Sequence, residues 1–314
     1  MSALVEALIE QRETFACFGS SCTVIAADGN PDDAAAATLR ARRQLLGWHG
    51  QFSRFEPGSE LTRLNEDTGE TVTVSPLMRR VVEAGLQAAR ATGGLVDPTL
   101  LTEIEQAGYQ SHYEGPGVPL RIALAMAPPR RAGRPSPEAN WRLVRTDRRA
   151  SSVIRPAGVR IDPGGIAKGV FADELSALLA DHGAFVIDCG GDLRLGGRAA
   201  PVREVHVASP FEDATLHTFA LRSGGVATSG IGKRSWIDAD GHVSHHLLDP
   251  GTGKPAFTGV VQVTALAPTA TEAEILSKTA LLRGPAHAHE VLVHGGLFVL
   301  DDGDYVVLDP GGVG

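Results

Sequence analysis

The sequence predicts a mixed α/β (α+β) fold, and three observations carry that prediction. Short runs of β-branched and apolar residues alternate with longer stretches of helical periodicity, glycine-rich turns separate the two kinds, and no internal repeat is visible. With 314 residues, 43% of them hydrophobic, the chain has enough apolar surface for one large unit or two closely joined lobes. No linker composition divides it, so a single domain over residues 1–314 is expected.

The elements follow in order. Cys22 to Ala27 reads as a strand, because Thr23, Val24 and Ile25 favour extended backbone, and Asp28-Gly29-Asn30-Pro31 ends it. Asp32 and Asp33 open a helix to about Trp48, with acids at the positive end of the helix dipole. A second helix starts near Pro76 and stops at Gly93-Gly94, its apolar stripe formed by Leu77, Val81, Val82, Leu86 and Ala89. The Pro/Arg/Gly-rich stretch from about 115 to 140 reads as a solvated surface loop. Strands are expected at Trp141–Arg145 and at a segment ending in Val159-Arg160-Ile161. A helix follows from about Ala167 to His182, with Phe171, Leu175, Leu178 and Leu179 on one stripe. Further strands fit Phe185–Ile187, Val205–Ala208, Leu216–Leu221, Val260–Ala265, Leu297–Leu300 and Tyr305–Leu308. Thr269 and Glu272 make a capping box for a helix to about Leu282.

Composition excludes several classes. A net charge of −8 and a pI near 5.8 argue against broad nucleic-acid binding, which needs a basic face. Any anionic ligand must be met by local cations and backbone amides. Cys17, Cys22 and Cys189 lack metal-ligand spacing and read as buried apolar residues in a reducing compartment. The first residues carry no signal-peptide core, and no stretch reaches the roughly 20 apolar residues of a membrane helix. A cytoplasmic protein with no membrane insertion is expected.

Four segments carry candidate chemistry. In Asp162-Pro-Gly-Gly-Ile-Ala-Lys-Gly169 a strand delivers an acid, two glycines allow close backbone approach, and a helix begins with Lys168 in its first turn. Free amides, a helix N-terminus and a lysine make a phosphate cradle, although a plain Gly-Gly turn with a solvated lysine fits the same local pattern. Ser229-Gly-Ile-Gly-Lys-Arg-Ser235 is not a Walker A loop, since Ala227 and Arg234 stand where glycine and Ser/Thr are needed; it offers Lys233 and Arg234 to an anion or to water. His245 and His246 alternate in direction and make a poor joint metal pair, so one imidazole acting as base is the better functional reading. Asp249 after them is either a carboxylate for a site or a turn-former. Glu274 and Lys278 lie one helical turn apart, as an ion pair or as an Mg²⁺ ligand with its neighbour.

Taken together these pieces resemble the ApbE family of FAD:protein FMN transferases, over about Phe18 to Gly284. The matching segments are Phe18-Gly-Ser, Phe52–Leu61, Thr92–Pro98, Asp162–Gly169, Ile187–Asp192, Ala227–Gly230, His246–Pro255 and Ala267–Glu274, in the family's order. The resemblance implies a T-fold-like architecture, FAD as substrate and Mg²⁺ as cofactor. It implies cleavage of FAD at its pyrophosphate, release of AMP and transfer of FMN to a Thr or Ser hydroxyl of an acceptor protein. By the same resemblance Phe18 and Phe55 face the flavin, Leu95, Val96 and Asp97 hold the adenine end, and Asp162, Lys168 and Leu247 bind FAD. His246 or Asp249 acts as base, Lys168 assists the reaction, and Gly165 (through its carbonyl) and Glu274 are metal ligands. Two departures stand out: Glu274 where the family commonly has Asp, and Lys278 where it commonly has a Thr ligand. A lysine there either shares the metal's task of neutralising phosphate or repels the metal.

Overall fold

Eight strands pair in chain order into one antiparallel sheet. They are β1 (Ile9–Cys17), β2 (Ser20–Asp28), β3 (Ala184–Cys189), β4 (Asp192–Gly196), β5 (Gly224–Gly230), β6 (Val260–Ala267), β7 (Gly296–Leu300) and β8 (Tyr305–Leu308). The computed structural model describes residues 8–111 and 117–309. Long insertions between neighbouring strands supply the helices α1 (Pro31–Phe52), α2 (Pro76–Ala91), α3 (Ala167–Leu179) and α4 (Ala270–Arg283).

The central strands are apolar on both faces because both faces are covered. Strand alternation sends Val24, Ala26 and Ile187 into the core shared with Leu45, Val82 and Phe171 of α1, α2 and α3. The intervening Ile25 and Val186 enter a second core with Val263, Leu281 and the Arg203–Ala208 and Thr215–Leu221 hairpin. This explains why β3 reads as a continuous apolar run rather than an alternating one. Helix starts follow the expected chemistry: Asn30, Ser75 and Thr269 each accept a backbone N–H at the N-cap of α1, α2 and α4.

Three expectations are corrected. The stretch from about 115 to 140 is not a free loop: Leu120–Met126 is a helix burying Leu120 and Ala123. Beyond it, the Arg131 and Gly133 amides donate to the Phe257 and Leu282 carbonyls, strapping the segment to the body (Gly115 and Pro116 lie outside the described residues). Trp141 sits in a 3₁₀ turn, Asn140–Leu143, and the strand begins only at Arg145. Val159–Ile161 is not a strand either, because Asn65 bonds both the N–H and the C=O of Ile161 at 2.7 and 2.8 Å and takes the place of a strand neighbour. The cysteines are buried free thiols, with Cys22 directly opposite Cys189 across β2 and β3.

Candidate functional site

The site is built where α3 and α4 begin beside the middle of the sheet. Asp162 accepts the Gly164 N–H at 2.8 Å and closes the one-turn helix Pro163–Gly165, after which α3 starts. That geometry aims Lys168, in the first turn of α3, at Asp192 on β4. Asp192 is 1% exposed, so the ammonium is its partner in place of water. Burial pulls the Lys168 ammonium down, but the Asp192 and Glu274 carboxylates outweigh it and hold its pKa above the ordinary lysine range. The β3–β4 turn is tight: Gly190 and Gly191 have φ of 74° and 99°, and a Cβ on Gly190 would lie 2.6 Å from Cβ of Ser20.

Glu274, in the first turn of α4, is fully buried. Its Oε2 accepts the Gly169 N–H at 2.8 Å and its Oε1 accepts from Nζ of Lys278 at 2.8 Å. Burial pushes its carboxyl pKa up, opposed by Lys278. The ion pair expected from the i,i+4 spacing is therefore present, but buried and tied across to α3.

These groups line one cavity of about 630 Å³, within the range of small-molecule sites. Of the residues anticipated, Phe18, Phe55, Asp162, Gly165 and Lys168 line it, together with His246, Leu247, Glu274 and Lys278. Phe18 is held at φ 52° in the β1–β2 turn and stacks on Phe171 at 5.1 Å. Such a backbone is costly for a non-glycine residue and is retained where the side chain must point one way. Arg234 donates to the Phe18 carbonyl and to Oγ of Ser20, both at 3.2 Å, which closes the rim, while Lys233 lines the cavity.

Asp249 and Leu95–Asp97 do not reach the cavity. Asp249 is a turn-former: its Oδ1 accepts from the Arg134 and Gly251 N–H at 2.7 and 3.1 Å, and its Oδ2 from the Thr252 hydroxyl at 3.1 Å. Leu95 and Val96 are core residues, and Asp97 caps Thr99 through its N–H at 2.8 Å. The next residue, Pro98, accepts the Asp162 N–H at its carbonyl and ties this segment to the Asp162 turn.

His245 and His246 point to different sides, as alternation predicts. His246 faces the cavity, and burial, then the charges of Arg234 and Lys278, hold its pKa well below the usual histidine value. Its imidazole is therefore neutral, the form a base must start from. His245 is 1% exposed, packed edge-on to Phe257 at 4.8 Å, and burial lowers its pKa from 6.5 to about 3. Between those values the unfolded chain binds a proton that the folded one does not. Stability is thus expected to fall as pH drops below 6.5, by about 1.4 kcal/mol per unit from this group until about pH 3. Urea unfolding from pH 7 to 4 measures the slope, and His245→Phe should remove that share of it; an unchanged slope would clear His245.

Sequence reasoning missed the aromatic wall. Arg54 lies over the rings of Phe55 and Tyr109 at 4.3 and 4.7 Å and donates to the Tyr109 carbonyl at 2.6 Å. Tyr109 stacks in turn on Trp236 at 5.4 Å. Arg54 sits inside a segment singled out by sequence, but Tyr109 and Trp236 carry no local signal and meet only in three dimensions.

An antiparallel α+β body whose cavity is lined by Lys168, Lys233 and Lys278 together with Phe18, Phe55 and Tyr109 has the chemistry to suit a phosphorylated, ring-bearing ligand. The model of the ApbE family matches residues 18–299, and the chain belongs to that family. It is 28% identical over 289 residues to an FAD:protein FMN transferase of Klebsiella pneumoniae, covering 85% of this chain and 77% of that one. It is 32% identical over 146 residues to the enzyme of the same name from Escherichia coli K12, covering 44% of this chain and 41% of that one. The solved ApbE protein of Thermotoga maritima superposes with a TM-score of 0.76 at 26% identity, over 96% of this chain and 97% of that one.

Proposed function

We propose that this chain, working as one domain in the cytoplasm, is an FAD:protein FMN transferase that joins FMN to a Thr or Ser hydroxyl of an acceptor protein. The observation that carries the reading is the convergence of Lys168, Lys278, His246, Phe18 and Phe55 on one cavity from five separate parts of the chain.

In this reading the acceptor hydroxyl oxygen attacks the FMN-side phosphorus of FAD. The bond from that phosphorus to the bridging oxygen breaks, AMP leaves with the bridging oxygen, and the hydroxyl proton passes to neutral His246. Phosphoryl transfer of this kind depends on positioning and on charge neutralisation, which Lys168 and Lys278 supply. Phe18, Phe55 and Leu247 give the flavin an apolar surface. The base role falls to His246, since the carboxylate of Asp249 is engaged in its own turn.

The Mg²⁺ implied by the resemblance meets a donor set that does not suit it. Mg²⁺ wants about six oxygen ligands in octahedral array. Both oxygens of Glu274 already accept hydrogen bonds, and Lys278 has donors only. No step is therefore routed through a metal.

Incubation with FAD followed by chromatography tests the reading. Flavin on an added acceptor with AMP release supports transfer, free FMN with AMP indicates water as acceptor, and unchanged FAD sinks the enzymatic proposal. His246→Ala is expected to slow AMP release by about 10²–10⁴-fold, and full retention of rate would clear it of the base role.

A further inference from the structure

We propose that the Lys278 ammonium, anchored by Glu274, takes the place of a divalent cation, so that this chain acts on the FAD pyrophosphate without Mg²⁺. The inference rests on the FAD reading above and concerns how the same site neutralises charge.

Glu274 is fully buried and both its oxygens are engaged: Lys278 donates to one and the Gly169 amide to the other, each at 2.8 Å. The charge of this carboxylate is already met by an ammonium, so a dication would have to compete with the lysine for it. The Lys278 side chain runs beside the Gly-Gly turn, since a methyl group on Gly165 would lie 3.7 Å from its Cε and 3.9 Å from its Cδ. The lysine therefore occupies the space between Glu274 and the Gly165 backbone, the two groups that the resemblance makes metal ligands. A second ammonium, Lys168, closes the other side against Asp192, and its field also reaches Glu274. A dication added among these would be repelled by two ammonium groups at close range. Lys233 and Arg234 in the same wall keep the cavity positive without it. The longer Glu in place of Asp is explained too: across one helical turn its extra methylene lets the carboxylate reach both the lysine and the neighbouring helix.

The test uses the intact protein freed of metal. AMP release from FAD is measured in excess EDTA and in millimolar Mg²⁺, with flavin fluorescence reporting FAD binding. The wild type is expected to run equally, within about twofold, in both. The variant Glu274→Asp/Lys278→Thr is expected to lose about 10²-fold in EDTA and to regain it with Mg²⁺. A wild-type rate that falls about tenfold or more in EDTA and returns with Mg²⁺ overturns the proposal.

Mn²⁺ titration followed by electron paramagnetic resonance decides it independently of turnover. The experiment is run in an Asp238→Ser/Asp240→Ser background, because Asp238, Asp240 and His242 form an exposed cluster with ligand spacing among the described residues. No saturable Mn²⁺ site in this background, and one gained site on adding Glu274→Asp/Lys278→Thr, supports the proposal. A site already present and lost on Glu274→Gln overturns it. Absence of FAD binding and turnover under all conditions would sink the transferase reading while leaving the Mn²⁺ result to judge this one. If the cavity variant does not fold by circular dichroism, the EDTA arm and the Mn²⁺ titration without it still decide.

Discussion

Replacing Lys168 by methionine is expected to lower AMP release from FAD by about 10²–10³-fold, the cost of removing one charged group aimed at a transition state. Lys168 carries an ammonium into the cavity from the first turn of α3, and its partner Asp192 is almost wholly buried. Its removal therefore has two consequences that must be separated. One is lost charge neutralisation on the phosphate. The other is an uncompensated buried carboxylate, which by itself costs about 3–5 kcal/mol of stability when a buried pair is broken. The double variant Lys168→Met/Asp192→Asn distinguishes them, because it removes both charges. It is expected to regain most of the stability in thermal unfolding and little of the activity. Activity that returns with stability would show that Lys168 serves the fold alone, and a single variant within about threefold of wild type would end its role in the reaction.

Gly169→Ala is expected to be strongly destabilising, because a methyl group there meets backbone. A Cβ there would lie 2.8 Å from the Ala270 carbonyl oxygen and 2.8 Å from Cα of Thr271, both backbone atoms at the start of α4. Neither can rotate away, so the two helices must separate. Overpacking against rigid atoms costs about 3 kcal/mol or more. In a chain of this size that is roughly 5 °C in Tm. The separation would also pull the Gly169 amide from Glu274 and disturb the Lys278 anchor. Calorimetry and AMP release on the same sample measure both effects. A Tm within a degree of wild type would mean that the close approach of α3 and α4 is not needed.

The local chemistry of this site was legible in the sequence wherever a short segment contains its own physical reason. Asp162-Pro-Gly-Gly announces a capped turn into a helix, and the structure has that turn with Asp162 on the Gly164 amide. The four long helices were legible from acidic starts, apolar stripes and a capping box to within four residues at their ends, whereas short ones such as Glu60–Glu66 and Leu101–Gln106 were not. Adjacent histidines were separable by alternation, and only His246 faces the cavity. Segments whose partners are distant in sequence were not legible. Val159–Ile161 has the composition of a strand, yet Asn65 takes its hydrogen bonds. The stretch from about 115 to 140 has the composition of a loop, yet its amides find acceptors on Phe257 and Leu282. Asp249 and Asp97 match segments of the family, but the Asp249 carboxylate and Oδ1 of Asp97 serve local turns, and neither residue lines the cavity.

By itself, then, the sequence determined the mixed α/β class, the starts of the long helices, the capped turn at Asp162 and, through the order of its segments, the family. Periodicity, capping and glycine placement act over a few residues, so they survive without knowledge of the fold. The tertiary structure alone decided what each charged group faces. Lys168 pairs with Asp192 because β4 passes beneath α3, and Tyr109 meets Arg54 and Trp236 because their segments converge. Glu274 and Lys278 were an ordinary helical ion pair on paper. Burial and the Gly169 amide make them a fixed, buried pair, because a charge removed from water must be satisfied by whatever the fold brings beside it.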